Sequence, residues 1–200
     1  MSQTSVMQSG KLDRRAAVKQ ILADRGDILT VSSLGGPSYD VAAIQVDFAQ
    51  DFPLGGAMGQ ATMVALGLAL SQPKRRVIAF VGDGEMLMSL GSLATIGAEK
   101  PDNLAVVVID NEHYAETGMQ ATHTGRGVDI ATVASGCGFA IARTIRNAAE
   151  LDEAKPLIRA APGPVFAVLK VSSEMGATFP RLRDGVLQKA QFRRALLGHV

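Results

Sequence analysis

Three uninterrupted apolar runs constrain the fold of this chain more than any other feature of its sequence. They read RVIAFVG, LAVVVID and PVFAVLKV, and they are rich in β-branched residues. Strands that stay apolar at every position are covered on both faces, as happens in parallel sheets flanked by helices. The runs therefore predict central strands of a buried parallel sheet, with DILTVSS as an earlier strand and FAIARTI as a weaker one.

Helical segments separate the predicted strands. Periodic apolar residues or many small residues predict helices over 11–25, 39–44, 58–70, 86–99, 130–136, 147–159 and 184–197. The stretch FAQDFPLGGAMG, which precedes the third of these helices, is predicted to be irregular. Alternation of strand and helix predicts an α/β fold with a single doubly wound, mostly parallel sheet flanked by helices.

The sequence predicts one folded domain over residues 11–200 after a flexible N-terminus over residues 1–10. No internal repeat, low-complexity tract or long linker divides the chain, and 47% of its 200 residues are hydrophobic. Residues 1–10 are polar and lack the apolar stretch of a signal peptide. No apolar run is long enough to span a bilayer, so we expect no membrane association.

The charge balance excludes some classes of binding partner, and the cysteine content indicates the cellular location. Lys plus Arg number 20 and Asp plus Glu number 19, so no strong field attracts nucleic acid or an anionic membrane. Any anionic ligand must therefore be held locally. The single cysteine, Cys137, cannot form an internal disulfide or a thiolate cluster, which predicts a cytoplasmic protein.

The run RVIAFVG ends in an acid between two glycines, Gly82-Asp83-Gly84, where a helix is predicted to begin. Ligands bind beyond the carboxyl ends of strands in open parallel sheets, and the N-terminus of a helix attracts phosphate. An aspartate beside a phosphate repels it unless a cation lies between them. Mg²⁺ meets that need, because it binds carboxylate, phosphate and water oxygens.

A second metal ligand is expected where the chain returns to the same edge of the sheet. The helix after the turn and the strand LAVVVID cover similar distances in opposite directions, roughly 20 Å each, at ~1.5 Å and ~3.3 Å per residue. Asn111, directly after that strand, can therefore offer an amide oxygen near Asp83. Either turn alone is more often structural than functional, but the two together favour a metal-diphosphate site.

The sequence GDG, followed after 26 residues by Asn111 with Asp110 before it, resembles the motif of thiamin diphosphate enzymes. That motif typically ends in two asparagines, and the first of them is aspartate here. The likeness covers residues 33–127, including SLGGPSYDV, GGAMG and HYAETGMQATHT. It is greatest with the β subunits of sulfopyruvate decarboxylase and with phosphonopyruvate decarboxylase-like enzymes. The resemblance implies thiamin diphosphate and Mg²⁺ as cofactors.

Site residues follow from the resemblance by position. It implies Mg²⁺ ligands at Asp83, at Asn111 and at the main-chain carbonyl of His113. The residues implied to bind the cofactor are Gly56, Met58, Gly82, Gly84, Glu85, Met86 and Tyr114. Gly56 would accept the pyrimidine amino group and Met58 would bend the cofactor, although a methionine alone is equally explained as core. At Glu85 the family more often has a small residue, so a main-chain contact is the stronger expectation there.

The polar loop after Asn111 holds the candidate catalytic residues. His113 and His123 can titrate near neutrality, although a structural role is equally open for each, whereas His199 is expected to be structural. Tyr114, Glu116 and Thr117 are candidates for lining the pocket. Arg126 is a candidate for pairing with a sulfonate, phosphonate or carboxylate, or else is a surface charge.

The resemblance implies the β subunit of a heteromeric decarboxylase that acts on a small 2-oxo acid. Thiamin diphosphate enzymes generally use a glutamate from a second, pyrimidine-binding domain, and this chain is expected to be too short to hold both domains. A separate α subunit is therefore expected to carry that glutamate. The family also implies self-association into at least an α₂β₂ assembly.

Three other functions stay open at this point. One is a non-catalytic module that binds the cofactor without turnover. Another is a different thiamin diphosphate enzyme subunit, either acetolactate synthase-like or a 2-oxo acid oxidoreductase, although Cys137 alone cannot bind an iron–sulfur cluster. The third is a Rossmann-type nucleotide binder, which is weakened because no strand is followed by G-x-G-x-x-G.

Overall fold

The structure is a computed structural model that describes residues 7–8, 10–46, 48–174, 176–178 and 184–199. Its strands are β1 (Met7–Gln8), β2 (Lys11–Leu12), β3 (Leu29–Ser32), β4 (Asp51–Pro53), β5 (Val77–Gly82), β6 (Leu104–Asp110), β7 (His113–Tyr114), β8 (Gln120–Ala121), β9 (Ile141–Ile145) and β10 (Val165–Lys170). Its α-helices are α1 (Arg14–Leu22), α2 (Gly36–Ala42), α3 (Ala61–Ser71), α4 (Asp83–Met88), α5 (Leu90–Glu99), α6 (Ile130–Gly136), α7 (Ala148–Ala160) and α8 (Gly185–Leu197). Short 3₁₀ helices cover Ala115–Thr117 and Thr124–Arg126.

One parallel sheet organises the molecule and confirms the predicted fold class. Its six strands lie in the order β4-β3-β5-β6-β10-β9. The three longest apolar runs of the sequence are β5, β6 and β10, and they are neighbours in this order. The register pairs Gly82 with Ile109 and Asp110 with Lys170, so these three strands end side by side.

Helices cover both faces of the sheet. Helices α1, α2 and α7 bury apolar side chains against one face, and α3, α4, α5, α6 and α8 pack on the other. Along β5, Ile78 and Phe80 face the first layer, whereas Ala79 and Val81 face the second. Because successive side chains of a strand point to opposite faces, continuous burial requires this double cover.

Local boundaries differ from the predictions in ways that long-range contacts explain. The stretch predicted to be irregular contains β4, which pairs with β3. The Asp51 carboxylate accepts bonds at 2.7 and 3.1 Å from the buried Arg25 guanidinium, a contact that no local pattern reveals. The helix predicted over 86–99 is two helices, α4 and α5, which meet at Ser89, where φ is −122° and ψ is 32°.

The N-terminal residues are described only in part. Met7–Gln8 pairs with Lys11–Leu12 as a short antiparallel hairpin, and residues 1–6 and 9 lie outside the described part of the chain. The predicted flexibility of residues 1–10 therefore stays a prediction. Of the helices that the structure describes, none combines the length and the apolar character that crossing a membrane requires.

Gly97 marks a close approach between α5 and the backbone that follows α6. A Cβ atom on Gly97 would lie 1.7 Å from the carbonyl oxygen of Cys137. Since a backbone atom cannot move aside cheaply, we expect Gly97→Ala to lower the free energy of unfolding in urea by about 3 kcal/mol. Gly91→Ala on the same helix is the control, because a Cβ atom there meets nothing within 4 Å. Equal stability of the two variants would contradict this packing.

Candidate functional site

A cleft of about 230 Å³ opens at the carboxyl ends of the central strands. The loops after β3, β5 and β6 form most of it, and residues of α1 and of the hairpin β7–β8 close its sides. It brings together many of the residues that the sequence selected. Those lining it are Met58, Gly82, Asp83, Gly84, Glu85, Asn111, His113, Tyr114, Glu116 and Thr117.

Asp83 is the most buried acid of the predicted cofactor turn, with only 2% of its surface exposed. Its Oδ2 accepts a hydrogen bond from the hydroxyl of Thr122 at 2.5 Å and lies 3.2 Å from the hydroxyl oxygen of Thr124. Burial raises the pKa of this carboxyl to about 6, and the nearby charge of Asp110 adds to that shift. Within the described residues no salt bridge reaches Asp83. A buried carboxylate without a cationic side chain fits a bound divalent cation.

Asn111 stands beside it at the end of β6, with 7% of its surface exposed. Its Oδ1 accepts a bond from the main-chain N–H of His113 at 3.2 Å, and an amide oxygen has a second lone pair for a cation. In the described chain no three His, Cys, Asp or Glu side chains converge as a metal site. The candidate ligands are therefore carboxylate, amide and carbonyl oxygens, which are the donor types that Mg²⁺ prefers.

Asp110, which occupies the place of the usual first asparagine, is neutralised by a lysine. Its Oδ1 accepts bonds from the hydroxyl of Thr124 at 2.8 Å and from the N–H of Glu112 at 3.0 Å. Its Oδ2 lies 2.8 Å from Nζ of Lys170, at the end of the neighbouring strand. Lys170 also pairs with Glu112 at 2.9 Å and holds the pKa of that carboxyl below its usual range. Asp110 is thus held within this network.

Glu85 has a side-chain role in addition to the main-chain role that the resemblance implies. It is 4% exposed, and its Oε1 accepts a bond from the N–H of Ala61 at 3.3 Å, at the start of α3. Burial raises the pKa of its carboxyl, while a hydrogen bond from Ser33 opposes the shift. The side chain therefore links the segment before α3 to the glycine turn.

The glycine turn leaves no room for a side chain at Gly84. A Cβ atom there would lie 2.4 Å from a ring carbon of Tyr114, so the ring packs directly on the turn. Met86, by contrast, is fully buried in the core. Gly56 is exposed. Among the described residues that line the cleft, neither Met86 nor Gly56 appears, and their predicted cofactor contacts stay predictions.

The two candidate histidines lie in different surroundings. Nδ1 of His113 lies 2.9 Å from the carbonyl oxygen of Asn111. Because a carbonyl can only accept, this contact favours the tautomer with a hydrogen on Nδ1. His123 and Arg126 are exposed, and neither is one of the described residues lining the cleft. His123 as a catalytic residue and Arg126 as an anion-binding residue stay predictions without support from this geometry.

Two arginines that the sequence analysis did not select line the cleft from α1. Nε of Arg14 lies 2.7 Å from Oδ2 of Asp40, and Nε of Arg15 lies 3.6 Å from Oδ1. Burial raises the pKa of Asp40, and the Arg14 charge opposes that shift. A Cβ atom on Gly36 would overlap the Arg14 guanidinium, which therefore packs against the first residue of α2. No local sequence signal marks these arginines, since their position depends on how α1 packs.

Sequence similarity to known proteins supports a cofactor site at this cleft. Residues 46–170 match the family model for the thiamine pyrophosphate enzyme, C-terminal TPP binding domain. The chain is 41% identical to sulfopyruvate decarboxylase subunit beta of Methanothermobacter thermautotrophicus, over 80% of this chain and 82% of that one. It is 38% identical to phosphonopyruvate decarboxylase of Streptomyces viridochromogenes, over 79% of this chain and 39% of that protein.

A solved structure supports the fold in particular. Benzoylformate decarboxylase from Polynucleobacter necessarius matches with a TM-score of 0.70 and 20% identity, over 88% of this chain and 35% of that one. The family match covers more than half of the chain. The chain therefore belongs to the family of thiamine pyrophosphate enzymes, with a sulfopyruvate decarboxylase β subunit among its relatives.

Proposed function

We propose that this chain is the β subunit of a thiamin diphosphate-dependent 2-oxo acid decarboxylase of the sulfopyruvate or phosphonopyruvate type. One observation carries the proposal: the buried Asp83 lies beside Asn111 at the strand ends, without a salt bridge from the described residues. The activities after which the relatives are named support the reaction class and the subunit character. Membership in the family overturns the alternative of a Rossmann-type nucleotide binder.

The residues present fit the cofactor and its metal. Asp83, Asn111 and the main-chain carbonyl of His113 would hold Mg²⁺, and the turn at Gly82 and Gly84 would bring main-chain N–H groups against the diphosphate. Thiamin diphosphate, when bound, supplies the electron sink for loss of CO₂ from a 2-oxo acid.

Side chains of this chain would shape the rest of the site. Tyr114, packed on Gly84, and Met58 give the cleft apolar walls that exclude water. The ring of His113 is oriented by the contact of its Nδ1 with the carbonyl oxygen of Asn111. Arg14 and Arg15 bring guanidinium groups to the cleft beside the Asp40 carboxylate, and a guanidinium pairs well with planar anions.

A partner subunit belongs to the proposal, because the activating glutamate is expected from a pyrimidine-binding domain. Of the glutamates on the cleft, Glu85 is engaged with the start of α3 and is poorly placed for that role. Large apolar side chains are exposed beside the cleft and on α3 and α4, which supports a protein contact there. They are Met58, Met63, Val64, Leu70 and Met88. We propose a separate α subunit, self-association into an α₂β₂ assembly and a cytoplasmic location.

The test is to co-purify the chain with the subunit that carries a pyrimidine-binding domain and to offer a panel of 2-oxo acids. We expect CO₂ release from sulfopyruvate or phosphonopyruvate and much slower release from pyruvate, because Arg14 and Arg15 favour a second acidic group. Acetolactate formed from pyruvate would favour the acetolactate synthase-like alternative. Cofactor binding without turnover of any acid would favour a non-catalytic module.

Met58 allows a test of how the cofactor is shaped. It is 40% exposed on the cleft wall. We expect Met58→Ala to lower kcat about tenfold and to change the Kd of thiamin diphosphate by less than about threefold, because metal and diphosphate contacts dominate binding. Leu187→Ala is the control, since Leu187 is 46% exposed, lies on α8 and is not among the described residues that line the cleft. An unchanged kcat in Met58→Ala would identify the residue as packing only.

A further inference from the structure

Two buried threonines stand behind the candidate metal ligand Asp83. Thr122 is 0% exposed and Thr124 is 6% exposed, and both follow the hairpin β7–β8. The N–H of Thr122 donates to the carbonyl of Glu112 at 2.9 Å, which closes the hairpin and directs the chain back to the sheet. The hairpin thus brings hydroxyls to a carboxylate that lies 39 and 41 residues earlier in the chain.

The single hydroxyl hydrogen of each threonine decides which carboxylate that threonine binds. Each hydroxyl has one hydrogen to donate. The shortest contact of Thr122 is to Oδ2 of Asp83, at 2.5 Å, and the shortest contact of Thr124 is to Oδ1 of Asp110, at 2.8 Å. The two hydroxyl oxygens lie 2.9 Å apart. Thr122 therefore donates its hydrogen to Asp83 and Thr124 donates its hydrogen to Asp110, so Thr124 supports Thr122 by packing contact alone.

Asp110 is held in place by burial and by an ion pair with Lys170. Its other oxygen lies 2.8 Å from Nζ of Lys170, and it is 1% exposed. Lys170 is itself fixed by Glu112 at 2.9 Å. The chain of contacts runs from Lys170 through Asp110 and Thr124 to Thr122 and ends at one oxygen of Asp83.

Both threonine contacts to Asp83 use the same oxygen, Oδ2. Neither hydroxyl contacts Oδ1, so neither threonine competes with a cation for that oxygen. We propose that Thr122 and Thr124 are positioning residues that hold the Asp83 carboxylate by Oδ2 and present Oδ1 to the metal. This inference rests on the proposed function, since it assumes that Asp83 binds Mg²⁺.

The proposal predicts an effect on metal choice as well as on affinity. Mg²⁺ requires a near-ideal octahedral arrangement, whereas Ca²⁺ accepts varied geometry and longer bonds. A carboxylate that is free to turn should therefore bind Mg²⁺ worse while it binds Ca²⁺ nearly as well. A merely structural role of the threonines predicts no change in the ratio of the two affinities.

The experiment measures thiamin diphosphate binding to the full chain by calorimetry, at fixed concentrations of Mg²⁺ or Ca²⁺. We expect Thr122→Val to weaken Mg²⁺-dependent binding about 30-fold, within the range known for residues behind metal ligands. Thr124→Val should weaken it less, about fivefold, because Thr124 donates to Asp110 and not to Asp83. Ca²⁺-dependent binding should weaken less than about threefold. Thr122→Ser, which keeps the hydroxyl, should restore Mg²⁺-dependent binding to within about threefold.

Thr62→Val is the matched control for loss of a buried hydroxyl. Thr62, on α3, is 1% exposed and its hydroxyl lies 3.0 Å from that of Ser92 on α5, and neither is among the described residues that line the cleft. It should lower the thermal midpoint as Thr122→Val does and leave both affinities unchanged. If Thr122→Val does not fold, Thr124→Val and Thr122→Ser still decide between the two roles.

The outcomes separate this inference from the proposed function. If Asp83→Asn loses Mg²⁺-dependent binding while Thr122→Val and Thr124→Val keep it, the positioning role is wrong and the metal site stands. If Asp83→Asn itself binds normally, the metal role of Asp83 is wrong, and with it the proposed function. Equal losses with Mg²⁺ and Ca²⁺ in the threonine variants would also overturn the positioning role.

Discussion

Asp83→Asn is expected to lower the affinity of the chain for thiamin diphosphate in the presence of Mg²⁺ by more than about 100-fold, which exceeds the loss from a residue behind a metal ligand. The substitution preserves shape and one oxygen but removes the buried charge that would balance the cation. Because burial raises the pKa of Asp83 to about 6, the ionised carboxylate is held in the fold against a cost near neutral pH. The thermal midpoint of the metal-free variant should therefore not fall below that of the wild type.

Calorimetric titration of thiamin diphosphate, with and without Mg²⁺, provides the measurement. Asp129→Asn is the control, since Asp129 is exposed and caps the N-terminus of α6, where asparagine also caps well. Full Mg²⁺-dependent affinity in Asp83→Asn would show that the buried acid has another purpose. The proposal for the cofactor site would then fail, although the family membership would stand.

The second large effect is expected when the partner subunit is added. A pyrimidine-binding domain would cover the exposed apolar side chains at Met58, Met63 and Met88 and contact the other end of the cofactor. A ligand that bridges two subunits binds more tightly when both are present, and the subunits bind each other more tightly around it. We expect the Kd of thiamin diphosphate to fall at least about tenfold on addition of the partner.

The same titration can be done with the Asp83→Asn chain as a control for simple association. That variant should still bind the partner, because Asp83 is buried beneath the cleft and is only 2% exposed. It should show no comparable gain in cofactor affinity. A partner that binds the wild-type chain but leaves the Kd of the cofactor unchanged would contradict a shared site.

The sheet and the pair Asp83 and Asn111 could be predicted because both depend on local sequence. Continuous apolar runs indicate burial on both faces, and their alternation with helices predicts that the strands run parallel. The turn at Gly82 ends one such run, and Asn111 follows another. Since parallel strands end at the same edge, the two side chains had to lie near each other, and they line one cleft.

The residues that support the site could not be predicted, because each comes from a distant part of the chain. The hairpin buries Thr122 and Thr124 and exposes His123 between them. Sequence reasoning selects His123 because imidazole is common in catalysis, yet this residue is exposed. Its two neighbours point the other way, so Thr122 and Thr124 contact Asp83. Lys170 reaches Asp110 only because β10 lies next to β6 in the sheet, an order that the sequence does not state.

The most direct test of the account is CO₂ release from sulfopyruvate and phosphonopyruvate by the chain alone, by the partner alone and by their mixture, with thiamin diphosphate and Mg²⁺ supplied. The account predicts release above background only in the mixture, and none when the chain carries Asp83→Asn. Sustained decarboxylation by the chain alone, with no partner detectable by mass spectrometry, would contradict the division of the active site between two subunits.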